Sequence, residues 1–100
     1  MTTVRLFCAN GFSTAMMCKK IQAEAKAKGS EYDVEAFPYA KISEEGKKAD
    51  VILLGPQIRY NLKKAQAMYP DKPVILLDMI TYGQMNGKAV YEMIEKELGK

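Results

Sequence analysis

Two short, largely apolar runs constrain the fold of this chain more than any other feature. They are ADVILLG, at residues 49–55, and VILLD, at residues 74–78. Runs of this length, rich in β-branched residues and bounded by Gly or Pro, are typical of strands that are buried on both faces of a parallel sheet. We therefore expect helices to cover both sides of a sheet.

The remaining segments alternate between strand and helix patterns. Residues 13–28 are rich in helix formers, place Met17, Cys18, Ile21 and Ala25 on one apolar stripe, and end at Gly29. The pattern predicts strands at residues 4–8, 32–37, 49–55 and 74–78, helices at 13–28, 42–48, 58–69 and 88–98, and an irregular or weakly helical segment between the last strand and the last helix. This order predicts an α/β fold and a single domain, residues 1–100: a small doubly wound, flavodoxin-like parallel sheet of order 2-1-3-4.

Composition excludes several classes of function. The 100 residues contain no histidine and two cysteines, so a Cys-His pair, a histidine-based metal site and a four-ligand zinc site are all excluded. The net charge of +3 is spread over mixed helix faces, which argues against a nucleic-acid surface. No secretory signal or membrane-spanning run is present, so we expect a cytoplasmic protein without direct membrane insertion. No residue pattern implies a metal or an organic cofactor.

Cys8 lies where such a sheet binds ligands. It ends the first predicted strand, and ligands gather beyond the carboxyl ends of the strands where the winding reverses, here between the first and third strands. Asn10 and Gly11 tolerate the backbone angles of an anion-binding turn, while Ser13 and Thr14 can cap the following helix. The positive field at a helix start also favours a thiolate over a thiol whose free pKa is about 8.5. This pattern favours a reactive Cys8 over an inert core cysteine.

Cys18 receives the opposite interpretation. Its position on the apolar stripe of the first helix indicates core packing instead of redox pairing with Cys8. Neither nucleotide-binding glycine motif, G-x-G-x-x-G or G-x-x-x-x-G-K-[ST], occurs in the chain, so nucleotide binding has no support.

Several segments together resemble a known family. LFCANGFSTAM, EAFPYAKI, ADVILLGPQIRY, KPVILLD and TYG are similar, in order and spacing, to the cytoplasmic IIB component of the bacterial sugar phosphotransferase system, lactose/cellobiose type. The resemblance covers essentially the whole chain. It implies that Cys8 is a phosphocysteine. Cys8 would accept a phosphoryl group from a phosphohistidine of the IIA component and transfer it to a β-linked sugar bound by the membrane component IIC.

The resemblance also implies further site residues. The phosphate-binding loop would consist of Ala9, Asn10, Gly11, Phe12, Ser13, Thr14 and Ala15, and the site would be bordered by Gly55, Pro56, Gln57 and Tyr82. The donor histidine then belongs to a partner, which accounts for the absence of histidine here. No sequence pattern identifies the sugar, which could be cellobiose, lactose, chitobiose or a related β-glucoside. The oligomeric state and the affinity for partners do not follow from the sequence either.

Two alternative functions compete with the phosphoryl carrier. Low-molecular-weight tyrosine phosphatases have a similar sheet and a C-x5-R loop, but Thr14 stands here where they have arginine, and no Asp-Pro pair supplies their acid. Arg5 or Arg59 are possible substitutes that lie outside the loop. A non-catalytic phosphate-binding module would not need the sulfur at all. Phe12 and Met16, which flank the loop, fit a core position and a docking contact equally well.

Overall fold

A computed structural model describes residues 1–9 and 12–99, with the side chains of residues 12–14 also outside the description. Four strands form one parallel sheet in the order β2-β1-β3-β4. Their bounds are β1 Thr2–Cys8, β2 Tyr32–Pro38, β3 Val51–Leu54 and β4 Val74–Leu76. Val4 of β1 lies opposite Val34 on one side and Val51 on the other. The predicted fold class and strand order are confirmed.

Helices connect the strands. Their bounds are α1 Phe12–Ala27, α2 Ile42–Glu45, α3 Leu62–Met68, α4 Met79–Gly83 and α5 Gly87–Glu97. The helices predicted at residues 42–48 and 58–69 each include 3₁₀ turns, at Gly46–Lys48 and Pro56–Asn61 respectively. Gly29 follows α1 with φ of 76°, a left-handed angle that glycine adopts without strain. None of the helices described within residues 1–9 and 12–99 combines the length and apolarity needed to cross a bilayer.

Two apolar clusters lie on opposite faces of the sheet. The first joins β1 and β3 to α1 and α5, and the second joins the same strands to the segments around α2 and α3. The predicted stripe of α1 is buried in the first cluster, as are Val90 and Ile94 of α5. Because adjacent residues of a strand face opposite sides, Leu6 belongs to the first cluster and Phe7 to the second. Helices therefore cover both faces, as predicted.

The prediction for the fourth strand was wrong in one respect. All four residues of β3 are fully buried, but Val74, Ile75 and Leu76 of β4 are only half-buried. Among the described residues β4 pairs with β3 alone and forms the edge of the sheet, so one side of the strand is not covered by a neighbouring strand. Its apolar run resembles that of a central strand because Ile75 still packs on one cluster, and Val74 and Leu76 on the other.

Candidate active site

The ends of β1 and β3 meet at Cys8. Cys8 is the last residue of β1, and the preceding Phe7 pairs with Leu54, the last residue of β3. The Gly55 N–H donates a hydrogen bond of 2.9 Å to the Phe7 carbonyl oxygen. The segment that follows β3 is thereby fixed beside Cys8. The structure brings Cys8 to the reversal point of the winding, where the sequence analysis expected it.

The Cys8 side chain is buried on the α1 side of the sheet. Strand alternation places it on the same face as Val4 and Leu6, whereas Phe7 faces the opposite cluster. Its exposed fraction is 2 %. It is nevertheless absent from both apolar clusters as the described residues define them. The thiol is therefore covered, but at the end of the strand and outside the packed interior.

The predicted phosphate-binding loop is only partly described. Ala9 is exposed, and the backbone of Phe12 begins α1, so a helix start follows Cys8 closely along the chain. Ala15 is exposed in the first turn of that helix. Asn10 and Gly11 lie outside the described residues, as do the side chains of Phe12, Ser13 and Thr14.

The segment after β3 places Gln57 next to Cys8. Gly55 is buried, and the position that a Gly55 Cβ would occupy lies 3.4 Å from Cys8 Cβ and 2.8 Å from Gln57 Oε1. Pro56 occupies the start of the 3₁₀ turn, where its fixed φ suits a helical conformation. The Gln57 carboxamide and the Cys8 side chain therefore border the same point in space.

A cavity of about 540 Å³ opens beyond the carboxyl ends of β3 and β4. Gln57 connects it to Cys8, which is not itself among the described residues on the cavity wall. Three of the four predicted bordering residues line the cavity, and the fourth, Gly55, lies beside both Gln57 and Cys8. The described residues of the wall are Pro56, Gln57, Arg59, Tyr60, Met79, Tyr82 and Gly83.

Tyr82 lies in helix α4, in a segment that the sequence predicted to be irregular or weakly helical. Asp78 caps this helix: its Oδ2 accepts a hydrogen bond from the Thr81 N–H at 2.9 Å. Hydrogen bonds from Thr81 lower the pKa of the Asp78 carboxyl, which keeps the cap ionised at neutral pH. Tyr82 is 6 % exposed and packs into the first cluster while lining the cavity. The cap thus holds one wall of the cavity in place.

Exposed apolar side chains surround this edge of the sheet. Met16 follows the start of α1, Tyr60 follows β3, and Met79 and Ile80 follow β4. Their exposed fractions are 58 % for Met16, 79 % for Tyr60, 67 % for Met79 and 71 % for Ile80. Met16 is therefore not a core residue. Sequence reasoning did not single out Met79 or Gly83 as site residues, although both lie in the segment that follows β4, a strand that ends at this edge, and that was a usable signal.

The two arginines considered as substitutes for a phosphatase arginine lie in different places. Arg5 is 7 % exposed and pairs with Asp33, its Nη2 lying 3.2 Å from Asp33 Oδ2 and its Nη1 donating to the Asp33 carbonyl oxygen at 2.9 Å. These bonds hold Arg5 between β1 and β2, so it does not act at the Cys8 end of β1. Arg59 is exposed on the cavity wall.

Cys18 is a packing residue, as predicted. It is 5 % exposed and belongs to the first apolar cluster, and no disulfide joins it to Cys8. Burial is the main cause that raises the pKa of the Cys18 thiol to about 12, and the charge of a Cys8 thiolate contributes to the same rise. Cys18 is therefore a protonated, unreactive thiol at neutral pH.

Comparison with known proteins identifies the family. The family model described as "PTS system, Lactose/Cellobiose specific IIB subunit" matches residues 3–93. The chain belongs to this family. It is a sugar-specific IIB component, a phosphotransferase component of the phosphotransferase system. The family predicted from LFCANGFSTAM, ADVILLGPQIRY and the other quoted segments is confirmed.

Relatives of this IIB chain differ in the sugar that their names give. The oligo-beta-mannoside-specific EIIB component of Bacillus subtilis is 34 % identical over 92 % of this chain and 91 % of its own length. The galactose-specific EIIB component of Lactococcus lactis is 33 % identical, with 92 % of each chain covered. The solution structure of the cellobiose-specific IIB component from Borrelia burgdorferi superposes with a TM-score of 0.78 at 33 % identity, covering 99 % of this chain and 94 % of that one.

Proposed function

We propose that this IIB chain carries phosphoryl groups on Cys8 between a IIA component and a sugar bound by a membrane IIC component. The observation that carries the proposal is the position of Cys8, at the end of β1, beside the end of β3 and just before the start of α1. This is the edge at which a doubly wound sheet binds ligands. Family membership supplies the partners, because IIB components work with IIA and IIC components.

The first step is transfer to sulfur. The Cys8 thiolate attacks the phosphorus of a phosphohistidine on IIA, forming the S–P bond while the N–P bond breaks and the imidazole leaves. In this proposal the backbone N–H groups of residues 10–15, the loop assigned by the family resemblance, would hold the equatorial oxygens of the transferring group. Because the Cys8 side chain is 2 % exposed, docking of IIA has to uncover the sulfur before attack.

The second step is transfer to the sugar. A sugar hydroxyl oxygen attacks the phosphorus, the O–P bond forms, the S–P bond breaks, and the hydroxyl proton passes to solvent or to a group of IIC. IIA and IIC each require access to the same sulfur, so they bind in turn and not together. The exposed residues Met16, Tyr60, Met79 and Ile80 supply an apolar surface for both partners.

Hydrolysis is the less favoured function. Arg5, one of the two possible substitutes for the phosphatase arginine, is engaged by Asp33. Thr14 stands at the position where the phosphatase loop has arginine. The absence of an arginine from the loop suits a phosphoryl carrier, because an arginine there would also stabilise the charge that develops when water attacks the phosphoryl group.

Incubation with phosphoenolpyruvate, the general phosphotransferase proteins and a IIA component, followed by intact and peptide mass spectrometry, tests the proposal. We expect one added phosphate, on Cys8. The phosphate should be absent from the Cys8→Ser variant and present on the Cys18→Ala variant. Addition of membranes containing IIC, together with a β-linked sugar, should remove the phosphate from Cys8 and transfer it to the sugar. Steady release of inorganic phosphate from an aryl phosphate by this chain alone would instead identify a hydrolase.

A further inference from the structure

Gly55 has an ordinary backbone conformation, so its identity needs another explanation. Its φ of −68° and ψ of 151° are extended angles that any residue adopts. What glycine provides here is space. A Cβ would approach Gln57 Oε1 to 2.8 Å, closer than side-chain atoms approach a real Cβ. The missing side chain leaves room for the Gln57 carboxamide to fold back over the end of β3.

Three features fix the backbone that carries the Gln57 carboxamide beside Cys8. The Gly55 N–H is bonded to the Phe7 carbonyl oxygen, which fixes the start of the segment one residue from Cys8. Pro56 restricts the backbone at the next position, and the Gln57 backbone belongs to a 3₁₀ turn. Gln57 is exposed to the cavity on its other side, so its position depends on the turn and not on burial in the core.

A carboxamide at this position suits a phosphoryl group. Its NH₂ group donates, its oxygen accepts, and rotation about the last side-chain bond exchanges the two. A phosphoryl group on sulfur carries between one and two negative charges near neutral pH, so a neutral donor forms a charge-assisted hydrogen bond with it. Unlike an arginine, an amide adds no positive charge that would also promote attack by water.

We propose that the Gln57 side-chain amide donates a hydrogen bond to a phosphoryl oxygen on Cys8, with Gly55 keeping the space that this contact requires. This inference rests on the proposed function, since it requires phosphorylated Cys8. It adds a side-chain donor, from the segment after β3, to the backbone donors of the loop after β1.

Two variants test the contact from independent positions. Gln57→Glu preserves size and places a carboxylate against the phosphoryl group. Gly55→Ala leaves Gln57 intact but displaces its carboxamide, and the Gly55 backbone angles accept alanine. We expect each variant to slow phosphoryl transfer from IIA to Cys8 about tenfold or more, because removal of one donor to a developing anion has effects of at least this size.

Gln66→Glu, the same change on an exposed position of α3, is the matched control and should transfer at the wild-type rate.

The second readout is the titration of the phosphocysteine itself by ³¹P NMR. A carboxylate at position 57 disfavours the dianion, so Gln57→Glu should raise the pKa of the phosphoryl group, whereas Gln66→Glu should not. A purely structural role of Gln57 would leave this pKa unchanged, and thermal unfolding of both variants checks that they fold. If wild-type protein is phosphorylated and Gln57→Glu matches it in both rate and ³¹P titration, the inference is wrong. If wild-type protein takes up no phosphate, the proposed function fails instead.

Discussion

Gly87, the first residue of α5, lies directly against the backbone of Lys20 in α1. A Cβ at Gly87 would lie 2.5 Å from the Lys20 carbonyl carbon and 2.6 Å from its oxygen. A side chain cannot fit without separating the two helices, because backbone atoms cannot rotate away as a side-chain end can. This contact sets the distance between the helices that cover the Cys8 face of the sheet.

We therefore expect Gly87→Ala to lower the free energy of unfolding by about 1–3 kcal/mol, as overpacking does. Urea unfolding followed by circular dichroism measures it. Gly83→Ala is the control for stability. Gly83 also lies in a helix, α4, but the described residues place no atom within 4 Å of its Cβ position outside the adjacent backbone. Equal stabilities of the two variants would contradict the packing argument.

The Cys18 thiol should be unreactive towards alkylating reagents in the folded protein. Because burial raises the pKa of its thiol to about 12, iodoacetamide at pH 8 should leave Cys18 unmodified under native conditions and modify it after denaturation. Peptide mass spectrometry distinguishes it from Cys8. Rapid native alkylation of Cys18 would show that the α1 stripe is not packed as described.

The Arg5–Asp33 pair should contribute to stability and not to phosphoryl transfer. Asp33→Asn weakens the pair and leaves Arg5 nearly buried, with hydrogen bonds to the Val4 and Asp33 carbonyl oxygens, so we expect a loss of about 1–2 kcal/mol in urea unfolding. The yield of phosphorylated Cys8 should match that of wild type. A selective loss of phosphorylation in a stably folded Asp33→Asn protein would mean that Arg5 acts at the site after all.

Tyr32 should make the fold sensitive to alkaline pH. Its hydroxyl donates to Glu95 Oε2 at 2.5 Å, and Glu95 Oε1 also accepts from Tyr91 at 3.0 Å. Burial, followed by the hydrogen bond to Glu95, raises the pKa of Tyr32 above its usual 10.0. The folded state therefore binds the Tyr32 proton more tightly than the unfolded state does. The stability that this provides is complete below pH 10 and decreases as the pH rises through the raised pKa.

Melting temperatures between pH 8 and pH 11 test this linkage. Wild type should be more stable than Tyr32→Phe at pH 8, and the difference should shrink above pH 10. Tyr60→Phe serves as the control, because Tyr60 is exposed and its removal should change neither the stability nor its pH dependence by a comparable amount. A difference that stays constant up to pH 11 would contradict the linkage.

Sequence patterns predicted the sheet well because its central strands are buried on both faces and its helices are amphipathic. The stripe of α1, the glycine that ends it and the strand order all follow from rules on local periodicity and chain connection. The half-burial of β4 did not follow, because Val74 to Leu76 have the same composition as a central strand. What distinguishes them is that the described part of the chain places a strand on one side of β4 and none on the other.

The features of the candidate site likewise fall into those that the sequence determined and those that only the tertiary structure decided. The sequence alone determined the strand-end position of Cys8 and the inert character of Cys18, because each depends on residues close together in the chain. It also determined the family, because segments along the whole chain are similar to that family in order and spacing. Tertiary structure decided that Gln57 borders Cys8, that Tyr82 and Met79 share a cavity with Arg59, and that Arg5 is occupied by Asp33. These contacts join residues that are far apart in sequence, and their distances are set by strand register and helix packing, which no local pattern specifies.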